Sequence, residues 1–320
     1  MKKNLIVILV GLITGLLICS FSGTQKSTTE KWTKYSNNPV LGGGELGTVF
    51  DICVLKDRGF YKMYCSWRPQ KSIALSTSKD GKNWSKPKIV LSPTQANYWE
   101  NEVNRPIVVC KDGLYHMWYT GQSNGKSWIG YALSKDGYNF VRQSNNPVLS
   151  AEEPWEKVAV MCPHVIWDKH EKLFKMWYSG GEQYEPDAIG YATSKDGLHW
   201  TKLKSNPIFK ADSTKSWEQY KVTACQVIER ENDYLMFYIG FRDIDFAQIG
   251  MARSKDGIGG WERYPGNPII SPTPDTWDAS ATYKPFAIQE KDHWMLWYNG
   301  RNEHLEQIGL VIYNGHALNF

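Results

Sequence analysis

Apolar and polar residues alternate along this chain in short bursts, and the bursts recur in a fixed order. IGYALSKDG (residues 129–137), IGYATSKDG (189–197) and IGMARSKDG (249–257) each lead an alternating stretch into one tetrad, which SIALSTSKDG (72–81) shares. Before each stands an aromatic-rich stretch, such as LYHMWYTG (114–121), and before that a β-branched run, such as RPIVVC (105–110). After each tetrad comes a short proline-containing stretch, such as NNPVLS (145–150). A period of two over such lengths predicts strands, and the Asp-Gly pairs predict tight turns. Four strands in about 60 residues make one blade of a β-propeller. WMLWYNG (294–300) begins a fifth copy whose last strand is missing, and NNPVL (37–41) supplies it from the other end of the chain. The expected architecture is all-β: a five-bladed β-propeller, its ring closed by an N-terminal strand that completes the last blade.

Repetition separates scaffold from site. A residue used identically in every blade is scaffold, and the Asp-Gly turns fall in that class because Gly accepts positive φ and Asp binds its own backbone. So do the recurring pairs Trp99-Glu100, Trp155-Glu156, Trp217-Glu218 and Trp277-Asp278. Function is expected where equivalent positions of the innermost strands disagree. One level carries Asp51, Arg105, Cys162, Ala224 and Lys284, and the level two residues on carries Cys53, Ile107, His164, Gln226 and Phe286. One residue before the first level lie Phe50, Asn104, Met161, Thr223 and Tyr283; Glu102 opens the second inner strand. Charged and amide side chains near the axis of a ring are costly to bury unless they pair or meet a ligand.

The ends and the composition narrow the setting. Lys2 and Lys3 precede an apolar run from Leu5 to Ile18, which reads as an export signal. Cys19 follows in LLIC, which resembles a lipoprotein lipobox with Ile18 in place of a small residue. Residues 1–24 are therefore an export signal or lipoprotein leader, 25–34 a linker, and 35–320 the propeller. The protein is expected outside the cytoplasm, in the periplasm or at the cell surface, with Cys19 as the one route to a lipid anchor. A net charge of +4 with both signs interspersed gives no basic patch, so nucleic acid is not an expected partner. The other five cysteines lack metal-ligand spacing and read as buried small side chains. No cofactor is indicated, and nothing specifies ligands for a structural calcium. The 15 Trp and 18 Tyr suit packed blades and surfaces that stack on sugar rings.

Asp51 in VFDI, the NPV, MWY and SKDGxxW repeats, and the five-blade count together resemble the five-bladed propeller glycoside hydrolases of families 43 and 32, and more distantly family 130, whose sequence blocks are not found here. The resemblance covers residues from about 35 onward and implies an exported glycosidase acting on a poly- or oligosaccharide. It implies that Asp51 is general base or nucleophile. At the family's second and third carboxylates this chain has Asn104 and Arg105 in NRPIVV and Met161 in MCPHV. The acid must then stand elsewhere, with Glu102 and Glu182 in SGGEQYEPD as candidates. Arg105, Asn104, His164, Tyr283, Lys284 and Gln226 are expected to bind substrate. A rim of Arg68, Arg242, Asp243, Arg301 and Glu303 lies on the loops after the second strands. The cations admit an anionic sugar, or phosphate in a phosphorolytic enzyme. A non-catalytic carbohydrate-binding propeller is the remaining reading.

Overall fold

The computed structural model describes residues 32–184, 186–318 and 320. The leader and Cys19 lie outside them, as does most of the linker. Among the described residues the chain is all-β, and its strands follow the sequence repeat closely. The first antiparallel meander is β2 (Val49–Asp57), β3 (Phe60–Trp67), β4 (Ser72–Ser78) and β5 (Lys88–Leu91). The second is β6 (Glu102–Lys111), β7 (Leu114–Ser123), β8 (Lys126–Ser134) and β9 (Val141–Arg142). The third runs β10 (Ala159–Asp168), β11 (Leu173–Gly181), β12 (Pro186–Ser194), β13 (Thr201–Lys202) and β14 (Phe209–Lys210). A single parallel bridge, Ala159 to Ser127, links it to the second. The fourth is β15 (Lys221–Glu229), β16 (Tyr234–Phe241), β17 (Ala247–Ser254) and β18 (Glu262–Arg263). The fifth is β19 (Ala281–Gln289), β20 (His293–Asn302) and β21 (Leu305–Asn314), and β1 (Trp32–Lys34) pairs antiparallel with β21 as its outer strand.

The outer strands differ from the expected single proline-containing strand. In the second, third and fourth meanders that strand is broken in two: β9, β13 and β18 pair directly after the turn, and the backbone pairs with the third strand again past Asn-Pro, at Leu149, Phe209 and Ile270, whereas β5 of the first is one piece. Proline carries no N–H, so a continuous ladder cannot run through it. The N-terminal segment repeats this pattern, with β1 first and then a bridge from Leu41 to Ile308. β1 therefore lies inside the stretch read as linker.

The repeated turns are scaffold in their hydrogen bonds. Asp80 Oδ1 accepts the backbone N–H groups of Lys82 and Asn83 at 2.9 and 2.8 Å. Asp136, Asp196 and Asp256 each do the same in their own turns. The turn glycine at positive φ presents its carbonyl to the preceding meander. Tyr64 donates to Gly137 at 2.9 Å, Trp118 to Gly197 at 2.9 Å and Trp177 to Gly257 at 2.8 Å. Trp297 of the fifth meander donates to Gly81 of the first at 2.8 Å, and β19 lies against β2.

The Trp-acid pairs are scaffold too. Glu100 binds Arg142 at 2.7 Å, Glu156 binds Lys202 at 2.7 Å, Glu218 binds Arg263, and Asp278 binds Lys34 at 2.5 Å. Each acid is fully buried and is tied to the outer strand of its own meander. Between meanders the core is apolar and aromatic, with Val49, Val103, Val160 and Val222 buried in one row along the inner strands. Cys53, Cys65, Cys162 and Cys225 are free and buried as expected, whereas Cys110 is exposed.

Candidate functional site

Five kinks in the inner strands build the site. Asp51, Arg105, Cys162, Ala224 and Lys284 all take positive φ, between 34° and 53°. The pairing register slips at each of these points. Left-handed backbone is uncommon for residues with a Cβ, and a bulge of this kind re-aims the side chain it carries. Side chains of the preceding meander hold three of the kinks. The N–H groups of Arg105, Cys162 and Ala224 donate to Ser66 Oγ, Thr120 Oγ1 and Ser179 Oγ at 2.8, 3.1 and 2.8 Å. The level predicted from the sequence is thus one backbone feature used five times, with a different side chain in each.

A cavity opens over these kinks. Its floor is Phe50, Asp51, Arg105, Cys162, Thr223 and Tyr283 from the inner strands; Arg68, Tyr184, Arg301 and Glu306 enter from the hairpins between second and third strands. Asp51 is 3% exposed, and its Oδ2 lies 3.4 Å from Arg105 Nε without a hydrogen bond. Arg105 Nη1 donates to Asn104 Oδ1 at 2.9 Å, and Asn104 is itself buried and donates to Gln122 at 2.6 Å. Glu306, at the start of β21, accepts Arg68 Nη2 at 2.5 Å and the Tyr283 hydroxyl. Burial, with the charge of Glu306 beside it, holds the Tyr283 phenol well above its ordinary range. Arg301 Nη2 donates to the Asp245 carbonyl at 2.6 Å. Thr223 Oγ1 and Arg301 Nε are, like Asp51 Oδ2, buried without a hydrogen bond. Buried polar atoms are nearly always paired, and these three belong to residues that line the cavity.

The sequence-predicted residues divide around this cavity. Asp51, Arg105, Tyr283, Arg68 and Arg301 line it, and Asn104 supports Arg105 from behind. Glu102 does not line it: its side chain is 40% exposed and pairs with Lys71 at 3.3 Å. Glu182 is exposed and pairs with Lys157 at 3.0 Å, and it is Tyr184 of the same loop that reaches the cavity. His164 and Gln226 tie neighbouring inner strands together. His164 Nε2 meets the Val227 carbonyl at 2.8 Å, and the Gln226 amide exchanges two hydrogen bonds with the backbone of Ala287. Burial pushes His164 down to about 3, so it is neutral and no proton donor near neutral pH. Lys284 is buried beside Cys53, Cys162 and Cys225, whose burial-raised thiols its charge partly offsets. Arg242 and Asp243 pair with each other at 2.8 Å outside the cavity, and the exposed Glu303 donates its N–H to Ser280 Oγ at 3.2 Å.

Glu306, Tyr184 and Thr223 were not among the expected site residues. A signal for Glu306 exists in the repeat. Two residues before the repeated isoleucine of each third strand, its counterparts are Lys71, Ser127, Asp187 and Ala247, a position as variable as the inner-strand levels. Among the described residues no group of three or more His, Cys, Asp and Glu side chains converges as a metal site.

A model of glycosyl hydrolases family 43 matches residues 36–312. The chain belongs to this family. It is 28% identical over 238 residues to a 1,2-beta-oligomannan phosphorylase of Thermoanaerobacter sp. (strain X514), an alignment covering 70% of this chain and 74% of that protein. Among solved structures it is similar to a glycoside hydrolase with a TM-score of 0.75 at 18% identity, covering 91% of this chain and 95% of that one. A second, with a TM-score of 0.71 at 15% identity and coverage of 89% and 94%, comes from work on family 130, described as mannoside phosphorylases containing glycoside hydrolases that target β-1,2-mannosidic linkages in Candida mannan. This family 43 chain is a carbohydrate-active enzyme on a fold shared with glycoside hydrolases.

Proposed function

We propose that this family 43 chain is an exported glycoside hydrolase that cuts a glycosidic bond of a poly- or oligosaccharide in the cavity over Asp51. The observation that carries the reading is Asp51 itself: a buried carboxylate at a kinked inner strand that lines the cavity, with one oxygen lacking a hydrogen bond. It exchanges the proton that bond cleavage requires. Glu306 is the second carboxylate, replacing Glu102 and Glu182, which lie outside the cavity. Hydrolysis of this kind uses two carboxyl groups in distinct roles. Tyr184, 70% exposed, offers a face for a sugar ring. Three guanidiniums stand there against two carboxylates, which supports an anionic substrate.

The five meanders are read as blades of one ring, closed by β1. The Trp297 to Gly81 hydrogen bond and the pairing of β1 with β21 support this, because each joins the two ends of the repeat. The apolar leader supports export.

One observation favours a second reading, phosphorolysis: the 28% identity to a 1,2-beta-oligomannan phosphorylase together with the cationic cavity. Incubation of the purified protein with plant, microbial and host glycans, with and without inorganic phosphate, separates the two. Free reducing sugar in both arms is the expected result. Sugar phosphate formed only in the phosphate arm would replace hydrolysis by phosphorolysis. Binding without product in either arm would make this a carbohydrate-binding propeller.

A further inference from the structure

Asp57, Lys62 and Tyr115 form a triangle of polar groups at the far end of β2 from Asp51. Lys62, 9% exposed, gives its ammonium to Asp57 Oδ2 at 2.7 Å and to the Tyr115 hydroxyl at 3.0 Å. That hydroxyl donates to the same Asp57 oxygen at 2.6 Å. The repeat builds the triangle once more between the third and fourth meanders, where Lys175 meets Asp168 at 2.6 Å and the Tyr234 hydroxyl at 3.4 Å.

The two copies use the ammonium differently. Lys175 has a third partner, Glu171 at 2.7 Å, which the longer turn between Asp168 and Leu173 supplies. Between Asp57 and Phe60 that turn is only Arg58-Gly59, and Lys62 has no third acceptor among the described residues. An ammonium carries three N–H donors, so one is left over. The remaining neighbours of Lys62 Nζ are the rings of Tyr115 and Tyr138, with centroids at 4.7 and 5.5 Å.

The surroundings differ as well. A groove opens over the first triangle, and its walls include Phe60 and Tyr138, which are 42% and 41% exposed. Their counterparts at the second triangle are Leu173 and Ile258. Rings left in water beside fixed hydrogen-bonding groups suit a sugar, whose C–H face covers the ring while its hydroxyls meet the polar atoms. Lys62 and Asp57 offset each other in charge, so recognition here rests on rings and hydroxyls. Lys135 and Asp136 line this groove and also a second one on the other side of their turn, so the surface extends beyond a single sugar.

We propose that this groove is a second carbohydrate site, one that holds a glycan chain by stacking on Phe60 and Tyr138 while a sugar hydroxyl accepts the remaining Lys62 donor. None of its residues lines the cavity over Asp51. The site anchors a polymer and breaks no bond, so it goes beyond the hydrolase reading and does not depend on it.

The test is native affinity electrophoresis of the whole protein through gels containing arabinan, xylan, mannan, mixed-linkage β-glucan or polygalacturonate. The comparison is Phe60→Leu/Tyr138→Ile, which installs the residues that the second triangle already carries. At least one polysaccharide should retard the wild-type protein, and the retardation should persist from about 50 to about 500 mM NaCl, because no net charge is paired. The variant should bind that polysaccharide at least about tenfold more weakly, with an unchanged unfolding midpoint. Equal retardation of wild type and variant, retardation lost at the higher salt, or no retardation by any of the five would each overturn the proposal. The hydrolase reading is judged separately, by product formation on the glycan panel. Retardation that the variant loses, without product from either protein, would remove hydrolysis and leave this site standing.

Discussion

His164 shows how a residue can be correct in level and different in role. Position along the inner strand was legible, because the repeat fixes which residues share a level. Whether a side chain at that level turns to the cavity or to the next strand was not, since that choice is made by a backbone kink and by the neighbour's carbonyl. His164 meets Val227, whereas Asp51 meets the cavity. Burial lowers His164 from 6.5 to about 3, so the unfolded chain binds one proton more than the folded one between those values. Stability should therefore fall as pH drops below about 6.5, by up to about 1.4 kcal/mol per pH unit from this residue. Denaturant unfolding across that range, compared with His164→Gln, measures it. A wild-type curve no steeper than the variant's would count against a buried neutral imidazole. Glu306 escaped sequence reading for a related reason: its position varies among the hairpins as the inner-strand levels do, but only strand pairing brings it back to Asp51.

At the scale of elements, the four-strand unit was legible because alternation, Asp-Gly turns and aromatic strands all agree. Outside the first meander the outer strand was read as one piece and is two, since the asparagine–proline turn interrupts the ladder. What holds that broken strand is its cation. In the fifth meander Lys34 of β1 reaches the fully buried Asp278 at 2.5 Å, the equivalent of Arg142, Lys202 and Arg263 in the others. Removing one partner of a buried pair leaves the other charge uncompensated. Lys34→Met should lower stability by about 3 kcal/mol, against little change for Lys88→Met on an exposed strand position. Urea unfolding of the two variants gives the comparison, and equal midpoints would mean that β1 does not lock the last meander.

For the molecule as a whole, the sequence repeat carried the all-β class and the family, while the proposed reaction rests on the few positions where the repeat is broken. Asp51, Arg105 and Tyr283 were found by that rule on the inner strands. Applied to the hairpins as well, it singles out Glu306. The account as a whole stands on Asp51 as the group that moves a proton during bond cleavage. The most direct measurement is kcat and KM for Asp51→Asn on the best substrate of the glycan panel, with the unfolding midpoint recorded alongside. The predicted result is a fall in kcat of about 10²–10⁴-fold, a nearly unchanged KM and an unchanged midpoint. A folded variant that keeps its kcat would contradict the assignment of this cavity as the reaction centre.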